Sequence, residues 1–523
     1  MPTKFARRAL PIGGLSLNAP PDAIADAQSP NVLNVRFRFN EVRPGPGRAA
    51  LTGALDTPIQ TIARFSVDDV TKWLVAISDT SLYKWGDTSP GSPTAWFKVP
   101  GVALTGQGRY SWCTGEDCFF FTRKNGGGVY RWKGGATSVD KVPNAPFDDA
   151  RFVEYFNNRL IVGNVAEGGK SWANRIRYPV NGDHTNWTGD GSGFVDLYEP
   201  EQEPIQGMKV LANRCVVLRE HSLTDLVAGG TISQVFNVEQ RTSNVGTIFP
   251  DTVDCNGIIL FFMGNDGNVW GWNGSNLQSI GDAIYKTLED VVDLQGGGTI
   301  YFGKIYPYMN EYWLWLGGPY VYIFDFLGGR WMVDYFPTIQ AIGDAEFRIT
   351  PNSWGTAQGA WQDWGQTPWS AMRAKSTSRM VVALTDLTTV TVGKDVVGYN
   401  TGDVIDSFIE TKDYYANESN NPIGVTDPIG PMVQRTCERL LLIYEYNNDK
   451  DPFELGISTD RGKTWQVQNI TPGLTGYGLA DWKVTGNVAR FRIRQLSTKP
   501  VFRWQGLVEE FLPGGPYTGL NNG

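Results

Sequence analysis

The sequence predicts an all-β protein: a β-propeller of about seven blades followed by a C-terminal β-sandwich. Three observations predict it. Aromatic residues make up 13% of the 523-residue chain, with 19 tryptophans, and aromatic and β-branched side chains favour strands while large rings fill the space between packed sheets. Glycine and proline number 61 and 30 with no regular period, which suits many tight turns rather than collagen or a linker. One hairpin pattern recurs along the middle of the chain, and recurrence every ~40–50 residues is the mark of propeller blades.

In chain order, residues 1–54 form an N-terminal arm with an edge strand. "DAIADAQSP" (22–30) has room for one turn of helix. In "NVRFRFNEVRPGPGR" (34–48), alternation sets Arg36 and Arg38 on one strand face and Val35, Phe37 and Phe39 on the other. With Arg43 and Arg48, the stretch suits an edge strand of the propeller or an arm docked on a neighbour. Four arginines in an acidic chain make a thin footprint for DNA.

Residues 55–395 form the propeller. "TKWLVAISDTSLYKWGDT" (71–88) is a strand, a polar turn and a strand ending in Tyr83 and Trp85. The same grammar returns in "DCFFFTRKNGGGVYRWKGG" (117–135), "NGIILFFMGNDGNVWGWNGSN" (256–276), "NEYWLWLGGPYVYIFDFLGGRWMVDYF" (310–336) and "RMVVALTDLTTVTVG" (379–393). Two less regular units, "ARFVEYFNNRLIVGNV" (150–165) and "NRCVVLREHSLTDLVAG" (213–229), fit between them. About 340 residues at ~45 per blade give about seven blades. A lone four-stranded blade cannot bury both faces, whereas blades around an axis cover one another. One short helix is expected over 282–292, where Ile284, Leu288 and Val291 follow a spacing of four and three.

Residues 396–435 turn polar and rich in Asn, Asp and Pro, as a connecting strand and a long loop would. Residues 436–523 bring a fresh set of about five strands: "ERLLLIYEYN", "FELGIST", "KTWQVQN", "ARFRIRQL" and "RWQGLVEEFL". Turns every ~8–12 residues predict a small sandwich there.

Composition excludes several function classes. The net charge of −8 argues against a broad basic grip on nucleic acid, though a like-charged wall would let DNA slide past. No apolar run approaches the ~18–20 residues of a membrane helix. The basic N-terminus lacks the apolar stretch of a secretory signal. Five cysteines make no disulfide framework. Cys113 and Cys118 could bridge across a hairpin, but reduced thiols are the expectation for all five.

The chemistry-bearing motifs are few. "GISTDRGKTWQ" (456–466) holds Ser458, Asp460, Gly462, Thr464 and Trp465 in the S-x-D-x-G-x-T-W spacing called the Asp-box. Asp460 can accept backbone N–H groups across the turn, Gly462 can take a positive φ, and Trp465 can pack beneath the hairpin. A glycosidase needs in addition a nucleophile and a carboxylic acid in a cleft, so the motif is expected to be a turn. His184 and His221 are the two histidines; His221 beside Ser222 makes a poor Ser–His pair, because neighbours on a strand face opposite ways. No zinc spacing, phosphate loop or full calcium loop is present. "GNDGN" (264–268) suits a type I′ turn on Asp266-Gly267. "DLYEPEQEP" (196–204), with Asp196, Glu199, Glu201 and Glu203, is a solvated loop or an electronegative rim. No catalytic, cofactor-binding or metal-binding residue is expected.

The order "GGLSLNAPPDAIADAQSPNVLNVRFRFNEVRPGPGR" (13–48) resembles the opening of bacteriophage virion proteins of the tail nozzle or tail hub type. The matching positions are Gly13, Gly14, Leu15, Pro20, Pro21, Asn34, Val35, Arg36, Phe37 and 43–47. "FVEYFNNRLIVGN" (152–164), "NRIRYPVNGDHTNW" (174–187) and "FFMGNDGNVWGWNGSNLQSIG" (261–281) resemble the same proteins in the same order, as does the terminal "ISTDRGKTW" hairpin. The resemblance implies a non-enzymatic protein of the virion tail, made in the host cytoplasm. It implies a ring, commonly a hexamer, below the portal and its adaptor, retaining packaged DNA, conducting it on ejection without reading its sequence, and anchoring fibres or spikes. The rival expectations are a glycan-binding or glycan-cleaving, sialidase-like propeller, and a propeller scaffold binding protein partners through its top face.

Overall fold

The computed structural model describes residues 4–516 apart from 39, 52, 54, 68–71, 87–94, 199–200, 294–300, 350–374, 394–403, 416–432, 446–450, 474, 499 and 501. Among the described residues the chain is all-β, with seven four-stranded antiparallel sheets and two larger ones. Blade one is Ile59–Ser66, Lys72–Ser78, Leu82–Gly86 and Ala95–Lys98; blade two is Gln107–Gly115, Cys118–Lys124, Tyr130–Trp132 and Asp140–Lys141. Blade three is Asp149–Phe156, Arg159–Glu167, Lys170–Tyr178 and Gly193–Asp196; blade four is Ile205–Leu211, Arg214–Arg219, Leu223–Ala228 and Phe236–Thr242. Blade five is Asp254–Cys255, Leu260–Met263, Val269–Trp272 and Leu277–Ser279; blade six is Phe302–Tyr306, Glu311–Trp315, Tyr320–Asp325 and Arg330–Tyr335. Each of the seven hairpin units read in the sequence falls in a different blade.

Blade seven departs from this serial order. Ala341–Ile349, Lys375–Ala383 and Thr389–Gly393 supply three strands, and Gly47–Ala50 supplies the fourth, with Val390 opposite Ala50 and Gly393 opposite Gly47. The N-terminal arm therefore closes the ring. Closure by a distant strand removes the edge that a serial array would leave open.

Separate clusters of buried side chains fill the gaps between neighbouring blades. Phe65 of blade one meets Phe119 and Trp132 of blade two, with ring centroids 5.8 and 5.6 Å apart. Phe120 of blade two packs with Val153 and Leu160 of blade three. Ile59, Ile62 and Leu74 of blade one close on Ala341 and Val381 of blade seven. Burying each such large side chain contributes roughly 1.5–3 kcal/mol. This is the work the 13% aromatic content does.

The sandwich draws on more of the chain than 436–523. One sheet runs Val35–Arg38, Glu41–Pro44, Trp504–Pro516, Val433–Tyr444, Tyr477–Gly486, with Lys4–Arg8 also paired to Trp504–Pro516. The other runs Val32–Leu33, Ile405–Glu410, Val488–Ser497, Phe453–Ser458, Gln466–Ile470, with Tyr414–Tyr415 on Val488–Ser497. Residues 1–54 are thus no separate arm: four strands up to Pro44 join the sandwich and one joins the propeller. The connecting stretch 396–435 likewise gives up Ile405–Glu410 and Tyr414–Tyr415; its 396–403 and 416–432 lie outside the described residues. These borrowed strands cover sheet edges that the C-terminal strands would leave unpaired.

Three local expectations are corrected. Tyr477–Gly486 is a strand whose side chains alternate exposed and buried; its Gly, Asp and Thr residues masked the period. Residues 22–30 form turns rather than helix. In "GNDGN" Gly267 alone has positive φ (+78°) and Gly264 N–H donates to Asn268 O, so this is not a type I′ turn, which needs positive φ at both central residues. The helix expected over 282–292 is present as a 3-10 turn, Asp282–Ile284, leading into Tyr285–Asp293.

The arm between 13 and 50 also binds the two bodies together. Leu15 N–H donates to Trp331 O (2.8 Å) on blade six, and Gly14, at φ +86°, lies so close that a Cβ would meet that oxygen at 2.6 Å. Asn34, at φ +52°, reaches three elements: its Nδ2 donates to Asp406 O (2.8 Å) in the sandwich, and its Oδ1 accepts from Tyr335 N–H (2.9 Å) and Arg48 Nη2 (3.0 Å). Arg36, 3% exposed, donates to Glu311 Oε1 (2.8 Å) and to both oxygens of Asp334 (2.8 Å each), while Trp313 Nε1 donates to Glu311 Oε2 (2.9 Å). The alternation read from the sequence holds over Val35–Arg38, with Arg36 buried against blade six, Arg38 half-buried, and Val35 and Phe37 in the shared core; Phe39 lies outside the described residues.

Removing one partner of a buried ion set strands the others. Arg36→Met is expected to cost ~3–5 kcal/mol, read as a lowered thermal midpoint together with faster proteolysis before residue 50; an unchanged midpoint would show that the triad does not hold the arm.

Candidate functional site: the axial channel

The first strand of every blade faces the axis. Residues from all seven of these strands or their approaches line a vestibule of about 290 Å³, and their continuations line a second of about 630 Å³. Along each strand the numbering rises from the first vestibule to the second: Ile62 to Arg64, Arg109 to Thr114, Phe152 to Tyr155, Ile342 to Asp344. The inner strands are therefore parallel, and equivalent positions form rings.

One such ring divides the two vestibules. Blade by blade it reads Arg64, Trp112, Glu154, Lys209, Asp254, Lys304, Asp344. Opposite charges alternate around it except where Trp112 stands. Arg64 Nη1 lies 3.3 Å from Asp344 Oδ2, Lys304 Nζ lies 3.3 Å from Asp344 Oδ1 and 3.2 Å from Asp254 Oδ2, and Lys209 Nζ lies 3.4 Å from Glu154 Oε2. Lys304 Nζ also sits 5.4 Å from the Trp112 ring centroid. Three cations face three carboxylates, so the ring is neutral.

The ring sets the protonation of its members. Burial would lower the Lys304 and Lys209 ammoniums, but the carboxylates beside them outweigh it and hold both raised. Burial would raise Asp344, yet Lys304 and Arg64 hold it below its ordinary value. Burial raises Glu154 despite Lys209. Each carboxylate is committed to a neighbouring cation or, for Asp254, also to the Ile305 N–H (2.8 Å). This pairing ties neighbouring inner strands together around the axis.

The remaining sequence candidates are placed elsewhere. In the Asp-box, Asp460 Oδ1 accepts from Ser458 Oγ (2.7 Å) and Thr464 N–H (2.9 Å), and Oδ2 accepts from Thr464 Oγ1 (2.5 Å). Gly462 has φ +84°, and Trp465 Nε1 donates to Gly462 O (3.1 Å) with Arg492 stacked 4.5 Å from its centroid. These hydrogen bonds, that from Thr464 foremost, hold Asp460 down to about 2. Every residue of the motif has a turn-making contact.

His184 is buried between Arg131 and Glu116. Arg131 Nη1 donates to Nε2 (2.8 Å), so Nδ1 carries the proton given to Glu116 Oε2 (2.6 Å). His221 and Ser222 both bind Glu203, at 2.7 and 3.3 Å, rather than each other. That also dissolves much of the rim imagined for 196–204: Glu203 is buried and Asp196 is paired with Arg175 (2.7 Å), leaving Glu201 exposed and Glu199 outside the described residues. Cys113 stands opposite Phe120 and Cys118 opposite Gly115, so the two do not face each other, and all five cysteines are free thiols. Among the described residues no cluster of three His, Cys, Asp or Glu is placed to hold a metal, and no helix is long and apolar enough to cross a membrane.

Sequence reasoning did not find the charged ring. Its members stand one per blade among other polar and apolar residues of the first strands, so no local pattern marks them, and only the alignment of blades brings them together.

No family model matches the chain, and no curated protein matches it. Solved structures do. The extracellular domain of a one-component system from B. thetaiotaomicron is 10% identical with a TM-score of 0.42, over 92% of this chain and 62% of that one, less than two thirds of its length. The N-terminal domain of Nup159 is 8% identical with a TM-score of 0.36, over 67% of this chain and 95% of that one. An exo-β-1,3-galactanase from Phanerochaete chrysosporium, solved with galactose, is 9% identical with a TM-score of 0.27, over 89% and 100%. None is described as a virion protein, and at these TM-scores none carries an argument about function.

Lys304→Met removes the cation shared by Asp254 and Asp344 and is expected to cost ~3–5 kcal/mol at neutral pH. Asp344's lowered pKa gives stability that is present above its ordinary value of 3.8 and is lost as pH falls through the folded value. The variant's deficit in thermal midpoint should therefore be widest near pH 7 and shrink below about pH 4; a deficit independent of pH would contradict the ring. Asp460→Ala should cost ~1 kcal/mol through the lost turn bonds, seen as a small midpoint shift with no change in any binding assay.

Proposed function

We propose that this chain is a non-enzymatic structural protein of a bacteriophage tail, of the nozzle or hub type. The observation that supports the reading most is the role of residues 13–48. They carry the resemblance, and their spacing has a mechanical use: Gly14 and Leu15 lie against Trp331, Asn34 links blade six to the sandwich, and Arg36 enters blade six. Such a pattern suits a rigid two-body strut that transmits load without its halves turning on each other.

The closed axis refines the proposal. DNA would not pass through the propeller, because Lys304 Nζ of blade six sits 5.4 Å from the Trp112 ring of blade two, leaving no room for a duplex between them. The conduit would lie between copies arranged in a ring, commonly of six, below the portal and adaptor. Acidic and neutral polar groups on the inward face would let DNA slide. Fibres or spikes would attach on the outward face.

The rival is a glycan-binding or glycan-cleaving propeller. The pairing of Glu154, Asp254 and Asp344 with lysines and Arg64 weighs against cleavage.

A gold-labelled antibody to this chain, applied to intact particles made from the same genome, is expected to mark the tail below the head. Label confined to the capsid, or washed particles lacking the chain, would overturn the proposal. The purified protein is expected to leave sialosides and common polysaccharides unchanged; turnover that disappears in Glu154→Gln would make it a glycosidase instead.

A further inference from the structure

The first vestibule holds positive charge that the fold leaves without a direct counter-ion. Arg109 and Arg151 project from the first strands of adjacent blades, two and three. Arg109 donates to the carbonyls of Gln60 (2.7 Å) and Gln340, and lies 3.6 Å over the Phe302 ring. Among the described residues Arg151 makes one hydrogen bond, to Gln206 Oε1 (3.0 Å), and lies 5.0 Å from the Phe152 ring centroid. Among the described residues no carboxylate lies within ion-pair distance of either. The buried Arg36, Arg175 and Arg490 meet carboxylates directly at 2.7–2.8 Å, whereas the buried Arg159 donates to the carbonyls of Pro179 and Gly191.

The other charged groups lining this vestibule are Lys124, Asp251, Lys209, Lys304 and Asp254. The last three belong to the neutral ring. That leaves Arg109, Arg151 and Lys124 against Asp251 alone, a surplus of two positive charges. A guanidinium has five donors in a planar fork suited to carboxylate and phosphate oxygens, and Arg151 uses one of them. Arg109 Nε is buried without a partner.

We propose that this vestibule binds a small ligand bearing an oxyanion, a carboxylate or a phosphate group, held chiefly by Arg151 with Arg109 and Lys124 supplying further positive charge. The cavity, about 290 Å³, sits at the small end of ligand sites and admits a molecule of monosaccharide size or less, not a polymer. Burial holds Arg109 down to about 10 and lowers Arg151, and it raises Asp251; a bound anion would relieve the strain on both arginines. The inference stands apart from the virion reading, since it uses only the geometry of the channel mouth.

Calorimetric titration of the full chain with inorganic phosphate and, separately, with glucuronate tests it. Saturable binding of at least one is expected, weakened at high salt and reduced at least tenfold in Arg151→Gln. The surface variant Arg503→Gln should bind as the parent does. Phosphate alone would assign a phosphate ester, and glucuronate alone an acidic sugar or related carboxylate. Unchanged thermal midpoints show that the variants fold. Binding of neither anion, or equal binding by Arg151→Gln, overturns the proposal.

Discussion

The structure depends on one buried arginine. Arg36 leaves a sandwich strand and enters blade six, where Glu311 and Asp334 take its guanidinium from two sides. A buried ion set is weak evidence of net stability, because desolvation offsets much of the attraction. Its value here is geometric. A planar fork that must satisfy two carboxylates admits one register, and Arg36 therefore fixes where the arm lies. From that register follow the positions of Asn34 two residues before it and of Gly47–Ala50 after it, which completes blade seven. One segment thus closes the propeller, edges the sandwich and joins the two. The large core cluster spanning blades five to seven, the arm and the sandwich is the apolar side of the same constraint.

The closed axis follows from the same regularity. Seven parallel inner strands bring equivalent positions to one level, so the charged residues at that level in six of the blades meet their neighbours. Alternating charge lets the lysines and acids satisfy one another in a confined space. Where the alternation breaks, Trp112 takes the place of a charge. On the other side of the ring, the first vestibule lacks this balance, and its two arginines share Asp251 as the carboxylate of that mouth. A structural plug and a small open mouth can coexist on one axis, because they use successive residues of the same strands.

Much of the fold was legible in the sequence. Aromatic hairpins ending in Gly, Asn or Asp turns marked one unit in each blade, since the middle strands carry the bulky alternating residues that fill the gaps between sheets. The Asp-box was legible as a turn for the reason that every one of its residues serves the turn. The outer strands were not, because short edge strands such as Asp140–Lys141 and Leu277–Ser279 bury little and show no period. The exchange of strands between the arm, the 405–415 stretch and the sandwich was invisible for another reason. Pairing partners 377 and 507 residues apart, Val32 with Ile409 and Lys4 with Phe511, leave no local pattern. The same holds for the channel: Arg64 and Asp344 touch only because the ring closes.

The central claim is that residues 13–50 are part of the rigid body rather than a docked tail. Native-state hydrogen exchange, resolved by peptide, measures this directly. The account predicts that the amides of Leu15, Asn34 and the strand Gly47–Ala50 exchange as slowly as those of the inner strands of blades six and seven. Rapid exchange across 13–50, with the propeller strands still protected, would contradict it.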